Sequence, residues 1–270
     1  MKVLGCDGTV VNTGTHGGVL RLIETKLGRP LSWFVCQLHA NELPLRHLCG
    51  ALIGKTMGPK GFAGEIGSRL NVCEKLPVVA FVAFSGADLS VDRNTLSTDQ
   101  KYLYDIFQSI TTGKVSIEIA RKSPGKMSHS RWLTTANRIL RLYVSTTDPD
   151  DNFKMLVEFI MRVYAPMWFK IKVHHNAEDG RGNLMATIKA ARNLSEGVKK
   201  IAYPVIQRNA FYGHPENIMF AMIKDPRQYV RNLGYHRIKK SRTLFKTGNV
   251  RKFKIPTLRF DADEHYDMID

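Results

Sequence analysis

The sequence predicts an α/β unit followed by a mostly α-helical chain. Three observations carry that prediction. Two short apolar runs, Met1–Cys6 and Leu31–Leu38, lie on either side of a stretch with helical apolar spacing. Ser97 and Gln100 open a further periodic stretch in the manner of a capping box. From Met127 onward the chain changes character, and amphipathic segments at helical period dominate as far as Ile223.

Taken in order, Met1–Cys6 (MKVLGC) reads as a buried strand that delivers Asp7 into a turn built from Gly8, Thr9, Asn12 and Gly14. Gly17–Lys26 follows as a helix with Val19, Leu20, Leu22 and Ile23 on its apolar stripe. Leu31–Leu38 is the second strand and ends at His39. A right-handed crossover through the helix would make the two strands parallel, whereas a tight antiparallel arrangement would move Asp7 and His39 apart. Ligands gather at the carboxyl ends of strands in such units, so Asp7 and His39 are expected to meet. Asn41 is placed as the cap of a helix from Glu42 through Leu48 and Leu52 to Gly54, with Pro44 in its first turn. A glycine-rich loop follows (GKTMGPKGFAG), then Leu76–Phe84, a Val/Ala/Phe run that is either a strand or a packed segment. Helices are expected from Ser97 to Gly113, over Ser130–Ser145, over Asp150–Val173 with a kink or break at Pro166, over Asn183–Tyr203 and over Pro215–Ile223. Domain boundaries fall near 90 and 223: an α/β core over 1–90, a helical module over 91–223, and a basic stretch with an acidic tail over 224–270.

With 43% apolar residues the chain can bury a core and is not disordered by composition. Its net charge of +16 points to a polyanionic partner, nucleic acid first and an anionic membrane surface second. No signal segment opens the chain, and its longest apolar run, Val78–Phe84, is too short to cross a bilayer. Cys6, Cys36, Cys49 and Cys73 show no framework spacing, which suits a reducing compartment. The reading is nuclear or cytoplasmic rather than secreted. The charge concentrates in Lys224–Lys254, where Arg227, Arg231, Arg237, Lys239, Lys240, Arg242 and further cations interleave with Tyr229, Tyr235, Phe245 and Phe253. Such runs bind phosphate backbones by counterion release. The closing RFDADEHYDMID reverses the sign and can neutralise its neighbour.

Several motifs are weighed against these features. Cys36-x2-His39 is half of a zinc pair, and no second pair stands at ligand spacing. GALIGKT lacks the glycine spacing of a phosphate loop and reads as helix interior. LGCDGTVVNT is similar to the first motif of the haloacid dehalogenase-like phosphatases, but Gly5 occupies the nucleophile position and cannot form an aspartyl phosphate.

CDGTVVNTG and CQLHANEL together resemble the core motifs of the hAT-type transposases: an Asp at a strand end, an Asn a few residues on, then Cys-x-x-His-x-x-x-Leu. Arg131 and Trp132 in HSRWLT resemble the Arg-Trp motif that lies against DNA in that family's helical insertion. Over most of its length the chain is also similar to transposon-derived arthropod and parasitoid-virus proteins that share the CDGT, NELPLRHL and HSRWLT segments. The resemblance implies a partial ribonuclease-H-like core with a helical insertion-type module, and DNA as partner, with oligomerisation. It makes Asp7 the second of three carboxylates that would hold Mg2+ or Mn2+, with His39 neighbouring. Trp132 would stack on an unpaired base and Arg131 would hold phosphate; taken without the resemblance, Trp132 reads as a core residue of an amphipathic helix. No residue upstream of Asp7 offers the first acid, and Glu264 and Asp267 are the only late candidates for the third.

The expectation is therefore a transposase-derived nucleic-acid-binding protein or fragment, truncated or domesticated. Asp7 is a vestigial catalytic position and a weak metal ligand. No cofactor is expected unless the missing acids are supplied elsewhere, and no catalytic activity is expected of this chain alone. Binding would run through Arg131, Trp132, Arg237, Lys239, Lys240 and Arg242. The alternative is an interaction protein for an acidic protein or a membrane surface, or a haloacid-dehalogenase-like remnant without its nucleophile.

Overall fold

The computed structural model describes residues 3–14, 17–29, 31–54, 61–85, 89–127, 132–173, 180–209, 222–243, 258–264 and 266–267. In chain order its elements are β1 (Val3–Cys6), α1 (Val10–Thr13), α2 (Val19–Leu27), β2 (Ser32–Val35), α3 (Gln37–Leu52) and α4 (Gly64–Leu70). Then come α5 (Thr98–Thr112), α6 (Ile117–Arg121), α7 (Trp132–Tyr143), α8 (Asp151–Phe159) and α9 (Ala165–Val173), with a π-helical turn, Ile160–Tyr164, between the last two. α10 (Gly180–Ala191), α11 (Glu196–Asn209) and α12 (Gln228–Thr243) follow. The molecule is mostly helical with a small two-stranded parallel sheet. Among the described residues no helix is long and apolar enough to cross a membrane.

The chain forms two compact units. Unit one takes residues 1–40, 174–192 and 204–270, and unit two takes 41–173 and 193–203. This differs from division at residues 90 and 223. The helical unit already begins at Asn41, and the chain returns to unit one after it rather than going on to a separate tail.

In unit one β1 and β2 pair in parallel from Val3 opposite Ser32 to Cys6 opposite Val35, the arrangement the crossover demands. Leu20, Leu31, Trp33 and Val35 form its buried cluster, with Leu4, Cys6 and Ile23 against it. A polar joint ties α2 to β2. Glu24, 3% exposed, accepts Arg21 (2.9 Å), the Leu31 N–H (2.9 Å) and the Trp33 indole N–H (3.0 Å). The Arg21 guanidinium lies 4.2 Å from the Trp33 ring centre. Gly28 ends α2 in the left-handed conformation (φ 63°), where a side chain is disfavoured. A second cluster joins Leu184 and Ile188 of α10 to Val230 of α12, Leu258 and Ala262.

Unit two is helical. Leu103, Ile106, Phe107 and Ile110 of α5, and Ala136, Ile139, Leu140 and Tyr143 of α7, are buried in its interior. Two buried arginines of α7 satisfy loop carbonyls. Arg138 donates to Leu70 O and Gly125 O (both 2.7 Å) and to Glu74 (3.0 Å), and Arg141 to Leu76 O (2.7 Å) and Ala120 O (3.1 Å). Leu76–Phe84 is a packed segment, not a strand. It is pinned by Val79 N–H on Val144 O (3.0 Å), Tyr143 OH on Val82 O (2.8 Å) and Phe84 N–H on Ile110 O (3.2 Å). The capping box at Ser97 and Gln100 opens α5 as the sequence predicts.

Three boundaries depart from the sequence reading. β2 stops at Val35, because Cys36 N–H closes the ladder on Cys6 O (2.9 Å) and Cys36 O then accepts Ala40 N–H (3.3 Å), starting α3 at once. His39 is thus a helix residue, and Asn41 is not a cap: its amide donates to Tyr164 O (3.1 Å). Asn183–Tyr203 is two helices. Glu158 accepts both the backbone N–H (2.8 Å) and the hydroxyl (2.6 Å) of Ser195, which fixes a fresh helix start there. At Pro166 the helix does not break. Proline lacks the donor for a regular bond, and the chain passes through the π-turn just before it instead. The helix expected over Pro215–Ile223 lies mostly outside the described residues.

Candidate nucleic-acid interface

Two features of unit one answer to the sequence-predicted sites. The first is the carboxyl end of the parallel strands. Asp7 leaves β1 there, and three donors converge on its Oδ1: Thr9 N–H (3.1 Å), Thr9 hydroxyl (2.6 Å) and Asn12 amide (2.7 Å). These bonds, the Thr9 hydroxyl foremost, hold the carboxyl below its ordinary 3.8, and His39 adds a smaller electrostatic contribution in the same direction. The His39 ring lies so close to Gly8 that a β-carbon there would sit 2.8 Å from Cδ2, and a larger residue would displace the ring. Asp7 and His39 do come together, although His39 stands on the first turn of α3 rather than at a strand end.

Among the described residues no three His, Cys, Asp or Glu side chains are grouped so as to hold a metal ion. α10, the first described helix after the long helical stretch, comes back to this end through the Asn183 amide, which donates to the Gln37 side chain. It carries no Asp or Glu from Gly180 to Ala191. Neither late acid sits on a helix: the Asp267 N–H turns back onto Glu264 O (3.1 Å), and the Glu264 carboxylate is held by Arg227 (3.0 Å).

The second feature is α12 and the acidic segment beside it. That segment is no free tail. Arg192 of unit one donates to Phe260 O, Ala262 O and Asp263 (2.9 Å), Leu258 and Ala262 are buried, and Tyr266 packs beside them. At the head of α12 Arg227 grips Asp225 (2.9 Å) and Glu264, and its guanidinium lies 4.6 Å from the Tyr266 ring centre. Asp225 and Glu264 push the Arg227 pKa further up. The same head is braced by Arg231, which donates to Asp225 O (2.8 Å) and Pro226 O (2.6 Å). These two arginines are structural.

Further along, α12 turns Val230 and Gly234 inward and leaves Asn232, Tyr235, His236, Lys239 and Lys240 exposed. Arg237 is half-buried and reaches Tyr266 O (3.5 Å). Arg242 lies on the last turn of α12, with its side chain outside the described residues, as does Arg131 entirely. Trp132 is 6% exposed, and its ring meets Phe62 edge-on at 6.4 Å between centroids. This corrects the reading of Trp132 as an open stacking platform: as the first residue of an amphipathic helix it turns its large apolar ring into the interior. The sequence reading placed Arg227 and Arg231 in the same basic run as Lys239, Lys240 and Arg242. Asp225, two residues before Arg227, was the signal that they pair locally.

Compared with known proteins, the chain matches no family model, no curated protein and no solved structure.

Proposed function

We propose that the chain is a nucleic-acid-binding protein derived from a hAT-type transposase, and that the outer face of α12 is its contact surface. The carrying observation is the sorting of charge along α12: the arginines at its head are consumed by carboxylates and carbonyls, while Lys239 and His236 further along are exposed. A helix fixed at one end and cationic along its free face suits a polyanion, because each phosphate neutralised releases counterions. The net charge of +16 supports the same partner.

The transposase derivation draws support from the chain's order. An α/β unit with Asp7 at a strand end is interrupted by a helical unit and then resumed, as the resemblance implies. The test is anisotropy of a labelled DNA hairpin titrated with the chain at a series of salt concentrations. Affinity that falls steeply with salt and ignores sequence supports the proposal. Absence of binding at low salt, alongside capture by anionic vesicles, would favour a membrane surface instead.

A further inference from the structure

We propose that Tyr235 is a stacking platform for an unpaired base, so that the ligand of the α12 face is single-stranded nucleic acid. This rests on the reading of α12 as the interface. Tyr235 is 60% exposed and stands midway along the helix. No described residue hydrogen-bonds to its hydroxyl, and its one described ring contact is the neighbouring His236, edge-on at 6.3 Å. The other exposed tyrosine of α12 is occupied: Tyr229 meets Tyr266 edge-on at 6.4 Å, and Arg227 lies 5.9 Å from its ring centre.

Residues three and four apart share a helix face. Asn232 and Lys239 therefore lie on the stripe of Tyr235, about one turn (~5.4 Å) to either side. A base laid on the ring places its phosphate beside Lys239, and its polar edge can meet the amide NH2 of Asn232, whose oxygen already accepts from Gln228 (3.0 Å). A duplex hides both faces of each internal base between neighbouring bases, so an open ring gains nothing from it. A single strand offers those faces freely. Trp132, buried against Phe62, is not available for this role.

The experiment uses the full chain with two labelled probes of equal length, an oligothymidylate and a blunt DNA duplex. Tyr235→Ala is expected to weaken the oligothymidylate by about 5- to 100-fold and to leave the duplex within about twofold, and Tyr235→Trp is expected to restore the single-strand affinity. Equal loss on both probes, no loss on either, or a wild-type preference for duplex would overturn the stacking role. Failure of the underlying reading looks different: wild type then binds neither probe, or Lys239→Gln with Lys240→Gln leaves both affinities unchanged.

Discussion

Glu42 is a half-buried carboxylate of unit two to which no described residue donates a hydrogen bond. Burial alone pushes its pKa from 4.5 up to about 7. The folded value lies above the unfolded one, so protonation favours folding. Below 4.5 both states hold the proton and nothing is lost. Between 4.5 and about 7 the unfolded chain releases a proton that the folded chain retains, so stability falls as pH rises through this window. The expected fall is on the order of 1–3 kcal/mol, read by urea denaturation at the two ends of the window. Glu42→Gln should flatten that slope and be the more stable protein above it. Trp132 gives a second residue-scale prediction. With its ring in the interior, Trp132→Ala should cost ~3–5 kcal/mol of folding stability, measured by thermal and chemical denaturation. A folded Trp132→Ala of wild-type stability that lost nucleic-acid binding would restore the contact role. An Arg-Trp pair in sequence does not say which way the ring faces. The helical spacing of Leu133, Ala136, Ile139 and Leu140 marked an apolar stripe, but Trp132 sits at its very start, where either orientation is open.

At the scale of elements, Glu24 joins α2 to β2 by serving three donors at once. Glu24→Ala should cost ~3–5 kcal/mol, because it removes the carboxylate that compensates a buried arginine. Urea unfolding beside Glu24→Gln measures it, and the glutamine variant should lose less because its amide oxygen still accepts a hydrogen bond. The two strands and the helix between them were legible in the sequence as apolar runs at the right spacing; the choice of parallel over antiparallel pairing was open until the structure showed it. The joint was not, because Arg21 and Glu24 look like ordinary surface residues of an amphipathic helix until Trp33 is known to face them. Helix starts failed where a side chain from far along the chain decides them. Glu158 sets the start of α11 at Ser195, and Tyr164 O, rather than a helix end, claims the Asn41 amide. Where the cap is local, as at Ser97 and Gln100, the sequence placed it correctly.

At the scale of the molecule, unit one is built from three separated stretches of chain, with unit two between them in sequence. Composition could show that the helical part follows the α/β part, but not that the chain returns. The return depends on Leu184, Ile188, Val230, Leu258 and Ala262 sharing one buried cluster. The approach of Asp7 and His39 was expected from topology and the basic run over 224–254 from charge, but not that Gln228–Thr243 within it form a helix. The division of that charge into a braced head and an open face needed the positions of Asp225, Glu264 and Tyr266. The most direct test of the account is the salt dependence of nucleic-acid affinity for wild type against a variant with Lys239, Lys240 and Arg242 changed to Gln, both shown folded by circular dichroism. The account predicts weaker binding to every sequence and a log–log salt slope shallower by roughly 1 for each phosphate-contacting cation removed. A folded triple variant with unchanged affinity and an unchanged slope would contradict it.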